Sequence, residues 1–162
     1  MKRIYLAGLA TLGVAICLGQ SAAGAIEEPA YPEGYRRWTH VLTGVSDARF
    51  KRYEGMHNIY ANPKAIEGYK ADGAFPDGSV IVFDLFEVVD QEGATVATKR
   101  KFIDVMVKDS KRYAATGGWG YTEFLGDSRT DRAFTQDKAM VRCHACHVAT
   151  PGRDSVITRF KD

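Results

Sequence analysis

Cys143-His144-Ala145-Cys146-His147 sets two thiols three residues apart and an imidazole directly after the second. Residues of these types at this spacing support covalent attachment of a porphyrin. The two thiols add to the two vinyl groups of one macrocycle, and the next residue lands beneath the iron, which it binds through a ring nitrogen. Three other chemistries compete for the same residues. A structural disulfide has no need of the following His. A thioredoxin-like redox pair sits near the start of a helix in a βαβ unit, whereas this pair lies near a helix end. A zinc site needs four ligands, and residues 148–162 hold no further Cys or His. The run therefore reads as a c-type haem site: one haem c per chain, covalently bound through Cys143 and Cys146, with His147 as proximal iron ligand. His144, between the thiols, reads as a solvated residue rather than a second ligand.

The place of the motif matters as well. In small electron-transfer cytochromes it lies near the N-terminus, and a later Met closes the sixth coordination site. Here Met56, Met106 and Met140 all precede His147. Met140 is too near along the same helix to reach the opposite haem face. An iron without a strong sixth ligand is five-coordinate and open to small molecules.

The elements that must position this motif follow from periodicity and turn residues. The spacing of Tyr35, Trp38, Val41 and Leu42 predicts a short helix over residues 32–42. Residues 55–61 alternate as a strand, and Asn62-Pro63 starts a helix that Asp72-Gly73 ends. Residues 79–89 and 95–107, rich in Val, Ile and Phe and joined at Glu92-Gly93, read as a hairpin. Asp109 caps a short helix through Ala115, which Gly117-Gly118 terminates. Residues 119–124 form a fourth strand, residues 126–131 a polar loop, and residues 133–147 the last helix. The tail carries a small apolar patch of Val156, Ile157 and Phe160. Hairpin-joined strands with surrounding helices make an α+β domain with an antiparallel sheet, its C-terminal helix carrying the C-x-x-C-H motif. C-terminal haem motifs also occur in the cytochromes c′, but those are helical bundles, and the hairpin argues against one.

A chain of 162 residues that is 45% hydrophobic and 26% charged has room for one packed core and is not disordered, collagen-like or a coiled coil. Lys2 and Arg3 precede an apolar run from Ile4 to Leu18, and small residues follow as far as Ala23-Gly24-Ala25. This is the pattern of a secretory signal peptide, residues 1–25, removed to leave a haem domain of residues 26–162. The run is shorter than the about 20 apolar residues of a membrane span. Lys and Arg number 22 against 20 Asp and Glu, and without Lys2 and Arg3 the two balance. A neutral mature chain offers no electrostatic footprint for nucleic acid or an anionic membrane. The expected compartment is a bacterial periplasm, with a periplasmic redox partner.

Tyr31-Pro32-Glu33-Gly34-Tyr35-Arg36-Arg37-Trp38, Ile59-Tyr60-Ala61-Asn62-Pro63, Phe75-Pro76-Asp77-Gly78-Ser79-Val80, Val107-Lys108-Asp109-Ser110-Lys111-Arg112, Gly118-Trp119 and Thr158-Arg159-Phe160 together resemble the cytochrome P460 family. The resemblance keeps motif order along the mature chain and ends on the family's C-terminal C-x-x-C-H. One branch of that family oxidises hydroxylamine and cross-links a lysine to its haem. The other, the cytochromes c′-beta, lacks the cross-link and binds nitric oxide or carbon monoxide, often under a phenylalanine cap. In the family's frame the cross-linking lysine follows Asp-Gly in the strand and precedes an acid and a leucine. In this chain Phe83, before Asp84-Leu85, stands in its place and cannot form the bond, so the resemblance is to the c′-beta branch. His57 stands where relatives carry a distal-pocket arginine, and Asp104 where they carry a pocket glutamate. These two are the candidate catalytic residues: His57 to donate a hydrogen bond, accept a proton or close the sixth site, and Asp104 to relay a proton or hold His57 by its other nitrogen. The resemblance also implies a homodimer built on the sheet.

Three functions remain in play: a binder of small gaseous ligands, a haem oxidoreductase acting on small nitrogen compounds or peroxide, and a plain electron carrier. All three require the thioethers. Replacing Cys143 and Cys146 together with Ala is therefore expected to abolish covalent haem staining in a denaturing gel. Staining that persists in the double variant would overturn the assignment.

Overall fold

The structure is a computed structural model that describes residues 27–71, 73–150 and 153–161. The segment read as a signal peptide lies outside the described residues, as does Asp72, half of the expected helix stop. Five strands, β1 (Thr39–Ser46), β2 (Gly55–Ala61), β3 (Val80–Gln91), β4 (Ala94–Lys108) and β5 (Trp119–Leu125), pair in chain order into one antiparallel sheet. Helix α1 (Pro63–Lys70) joins β2 to β3, and helix α2 (Gln136–Val148) follows β5. The α+β reading holds, with the motif on the C-terminal helix. Among the described residues no helix is long and apolar enough to cross a membrane.

Local chemistry explains most of these elements. Asn62 caps α1 by accepting the Ala65 N–H at 2.9 Å, and the same oxygen accepts the Val80 N–H at 3.0 Å, tying the helix start to β3. The β3–β4 hairpin turns at Glu92 and Gly93, whose φ values of 51° and 83° are those a two-residue turn of matching twist demands.

Two expected helices are not helices. In place of one over residues 32–42, the chain makes a single 3₁₀ turn, Tyr35–Arg37, entered through Gly34 at φ 69°, and then extends into β1. The spacing of Tyr35, Trp38, Val41 and Leu42 mimics a helical stripe, but the β-branched Thr39, Val41, Thr43 and Val45 alternate along a strand with β2 to pair with. After Asp109 the expected cap does form, with Oδ1 accepting from Lys111 and Arg112. The turns it starts close as a 3₁₀ segment, Ala114–Thr116, ended by Gly117 in the left-handed region. In the tail, Val156 is buried and Phe160 packs on the core, but Ile157 is exposed.

The sheet has two covered faces. On one, Val82, Ile103, Val105 and Phe124 pack beneath Tyr31, Tyr35 and Trp38 of the N-terminal segment. On the other, Ile59, Ala61, Ile81, Met106 and Tyr121 share one core with Ala65 of α1, Met140 of α2 and Val156 of the C-terminal turn. Asp84 anchors the first face. Its carboxylate, 1% exposed, accepts from Tyr35 Oη at 2.6 Å, Arg100 Nε at 2.7 Å and Arg36 Nη2 at 3.2 Å. Because side chains alternate along a strand, holding Asp84 on this face holds Phe83 on the other.

Removing the Asp84 carboxylate would leave the Arg100 guanidinium and Tyr35 hydroxyl short of a buried partner. Asp84→Ala is expected to cost about 3–5 kcal/mol of stability, read from urea denaturation. An unchanged midpoint would show that the network does not hold the strand.

Candidate haem site

Helix α2 presents its inner stripe to the sheet. Gln136, Ala139, Met140, Cys143 and His147 recur at spacings of three and four, and Ala139 and Met140 are buried. The stripe therefore turns Cys143 and His147 inward together. Cys143 is half-buried against the core, Cys146 is exposed, and both are free thiols. Burial, with the Asp104 and Glu123 carboxylates nearby, pushes the Cys143 thiol up to about 12. Catalytic redox thiols sit at a helix start, where the thiolate is favoured, whereas both of these lie in the C-terminal half of α2, so the thioredoxin-like chemistry does not suit this site.

His147 is set up as a ligand. Its Nδ1 lies 2.9 Å from the Ser155 carbonyl, an acceptor, so Nδ1 carries the proton and Nε2 keeps a free lone pair. Burial lowers its pKa and favours the neutral imidazole that iron binds. The ring lies 5.3 Å from that of Tyr121. His144 is not the solvated residue expected: it is half-buried, 6.2 Å from Tyr121, with Nδ1 enclosed.

The facing sheet surface is ordered by register. Ile59 pairs with Phe83, Phe83 with Asp104 and Asp104 with Glu123, which makes one row across β2 to β5. His57 lies one side-chain step further along β2 and stacks on Phe83, with ring centroids 4.8 Å apart at 19°. Gly44 on β1 makes room for it, since a Cβ there would sit 2.5 Å from His57 Nε2. Tyr53, from the 3₁₀ segment Ala48–Tyr53, packs edge-on against Phe83 at 5.9 Å and Phe102 at 5.7 Å. Burial, then the adjacent Glu123, raises the Asp104 carboxyl well above its ordinary pKa. Glu123, 2% exposed, forms an ion pair with Arg52, whose guanidinium also covers the Phe102 ring at 4.7 Å.

The structure thus brings Phe83 and His57 into contact and places Asp104 beside Phe83 on the face that α2 covers. It does not join Asp104 to His57. Asp104 Oδ1 and His57 Nδ1 are both enclosed without a hydrogen-bond partner, because Phe83 takes the place beside His57 that a carboxylate would need. Glu123, Arg52, Tyr53, Tyr121 and Ser155 escaped the sequence reading. Alternation of Trp119, Tyr121 and Glu123 along β5 signals the two on the sheet. Nothing local signals Arg52, Tyr53 or a backbone carbonyl.

These residues fit a haem. Buried polar atoms are almost always hydrogen-bonded, so exceptions ask for a partner. Among the described residues the enclosed side-chain atoms without one are on His57, Asp104, Tyr121, Gln136 and His144. All five belong to α2 or to the sheet face toward it. The paired thiols, the free Nε2 of His147 and this polar-lined apolar surface suit a large planar group bearing a metal.

The family model described as Cytochrome P460 matches residues 32–158. No curated protein matches the chain.

A carboxyl whose pKa is raised on folding contributes stability below its unfolded pKa of about 3.9 and loses it as pH rises toward the folded value. Asp104→Asn keeps the shape and removes this titration. In haem-loaded protein the stability of the variant relative to wild type is expected to grow with pH above about 4, by up to about 1.4 kcal/mol per unit through that interval. Thermal melts at pH 4 and pH 8 that differ equally from wild type would contradict the raised pKa.

Proposed function

This chain belongs to the cytochrome P460 family and is therefore a c-type haem protein, and we propose that it binds small gaseous ligands, such as nitric oxide or carbon monoxide, in the manner of the c′-beta branch. The observation that carries this reading is Phe83. An apolar ring, stacked on His57 and braced by Tyr53, stands where the resemblance puts the cross-linking lysine. It has no atom that can bond a porphyrin carbon. Haem, when bound, would supply an iron that can take up a small ligand and has two accessible oxidation states.

The chain's own residues do the rest. Cys143 and Cys146 would hold the haem covalently, and His147, oriented by the Ser155 carbonyl, would bind its iron. Phe83 and Tyr53 keep water out and narrow the approach. His57 offers a ring nitrogen beside Phe83. An unperturbed imidazole titrates at about 6.5, and burial lowers the His57 value, so the ring is neutral at pH 7. In this reading residues 1–25 direct export to the periplasm, where the chain works as a homodimer and meets a redox partner.

A second reading, an oxidoreductase for small nitrogen compounds or peroxide, draws support from Asp104. A carboxyl that keeps its proton above the ordinary range beside the haem face is a proton donor in waiting. Hydroxylamine oxidation of the cross-linked kind is disfavoured by Phe83.

The reduced protein is expected to show the broad visible bands of a five-coordinate haem. Phe83→Ala is expected to speed carbon monoxide binding about tenfold, equal to lowering the barrier by about 1.4 kcal/mol. Sharp α and β bands in the wild type would favour an electron carrier, and an unchanged rate in the variant would remove Phe83 from the ligand's path.

A further inference from the structure

The carbonyl that holds His147 belongs to a turn that needs holding itself. Asp154 and Ser155 are consecutive non-glycine residues in the left-handed region, at φ 47° and 63°. Side-chain-bearing residues persist there only when their surroundings over-determine them. Here the surroundings are specific. Lys108, the last residue of β4, reaches both Asp154 carboxylate oxygens at 2.7 Å and the Gly117 carbonyl at 2.9 Å. Trp119 Nε1 donates to the Asp154 carbonyl at 2.7 Å, and the Phe75 N–H to its carboxylate at 3.4 Å. Val156, next after Ser155, is buried in the core.

An ion pair whose lysine side chain is only 9% exposed is an expensive clamp for a surface turn. Desolvating two charges offsets much of their attraction, and apolar packing would close a turn as well. What packing would not do is fix the direction of one carbonyl. Next after Asp154 stands Ser155, whose oxygen receives the His147 Nδ1 proton.

We propose that Lys108 is a positioning residue for the iron ligand: through Asp154 it fixes the Ser155 carbonyl against Nδ1 of His147, and so sets the ring's orientation and its electron donation to the metal. The proposal rests on His147 being the iron ligand. A firm hydrogen bond from the far nitrogen makes an imidazole the stronger donor, which strengthens its bond to iron and favours the oxidised metal. Lys108 thus acts on the haem from a place where it touches neither iron nor ligand.

The test uses haem-loaded protein and three variants. Lys108→Met keeps the length of the stem and removes the charge. Trp119→Phe removes the donor to the Asp154 carbonyl without changing charge, and Asp154→Asn keeps shape while weakening the clamp. The readouts are the iron–histidine stretching band of the reduced protein by resonance Raman and the midpoint potential. In Lys108→Met the band is expected to fall in frequency, and the equilibrium constant for reduction to rise several-fold. The sign is diagnostic, because losing a positive charge by electrostatics alone would make reduction harder. Trp119→Phe is expected to shift both readouts the same way by less, and Lys108→Arg to restore most of the wild-type values.

If loaded variants melt earlier but keep the wild-type band and potential, the pair is structural only and the proposal fails. It fails equally if the potential of Lys108→Met falls with the band unmoved. Should Lys108→Met not load haem, the charge-neutral Trp119→Phe carries the same test on band and potential, and Asp154→Asn carries it on the band alone, because losing a negative charge raises the potential by itself. A wild-type protein that binds haem without an iron–histidine band would overturn the assignment of His147 itself, a result distinct from either.

Discussion

Antiparallel register with two-residue alternation is the constraint on which the site depends. Phe83, Asp104 and Glu123 are far apart in sequence, yet paired positions on adjacent strands must share a face. A slip of one residue in β3 would turn Phe83 away and bring Asp84 to the face toward α2. The two aspartates show how the fold prevents it. Asp84 meets a tyrosine hydroxyl and two guanidinium groups on its own face. On the other face, Asp104 meets Glu123 across the register. Transposing them would strand three donors and bury a fresh charge among apolar side chains. One acid thus fixes the strand, and the other is left free to hold a proton.

Strand β4 serves both sides of the site. Asp104, Met106 and Lys108 share the face toward α2. Asp104 stands in the row with Phe83, Met106 is in the core, and Lys108 reaches the turn that holds His147. A shift in β4 would therefore move the acid and the clamp together. The residues at the two ends of this short stretch bear on the proposed haem site by different routes. Asp104 lies on the sheet face toward α2, whereas Lys108 reaches the turn whose backbone carbonyl meets His147.

The parts of this arrangement that local sequence encodes were legible in it. The C-x-x-C-H run specifies its chemistry through spacing alone. Asn62-Pro63 and Glu92-Gly93 specify a helix start and a turn through backbone preference, and both stand where expected. Strand β1 is not legible in the sequence because aromatic and aliphatic residues at spacings of three and four imitate a helix, and only pairing with β2 decides between them. Phe83 and Asp104 became visible through the family frame and the alternation of their strands. Arg52 and Ser155 had no such signal. One reaches Glu123 from an irregular segment 71 residues away, and the other contributes only a carbonyl, which every residue possesses.

His57 shows what the unpartnered atoms mean. Its ring is positioned by shape, between the stack on Phe83 and the space left by Gly44, and no hydrogen bond reaches Nδ1. An imidazole whose purpose was structural would be expected to find an acceptor, as His147 does in Ser155. Were such omissions mere packing faults, they would fall on both faces of the sheet. On the N-terminal face the buried Asp84, Tyr35 and Thr122 each have partners. The unpartnered atoms gather instead on the sheet face toward α2 and on α2 itself, the helix that also carries the thiols and His147. Polar groups left enclosed and unsatisfied on one side only are the mark of a surface completed by something other than the chain.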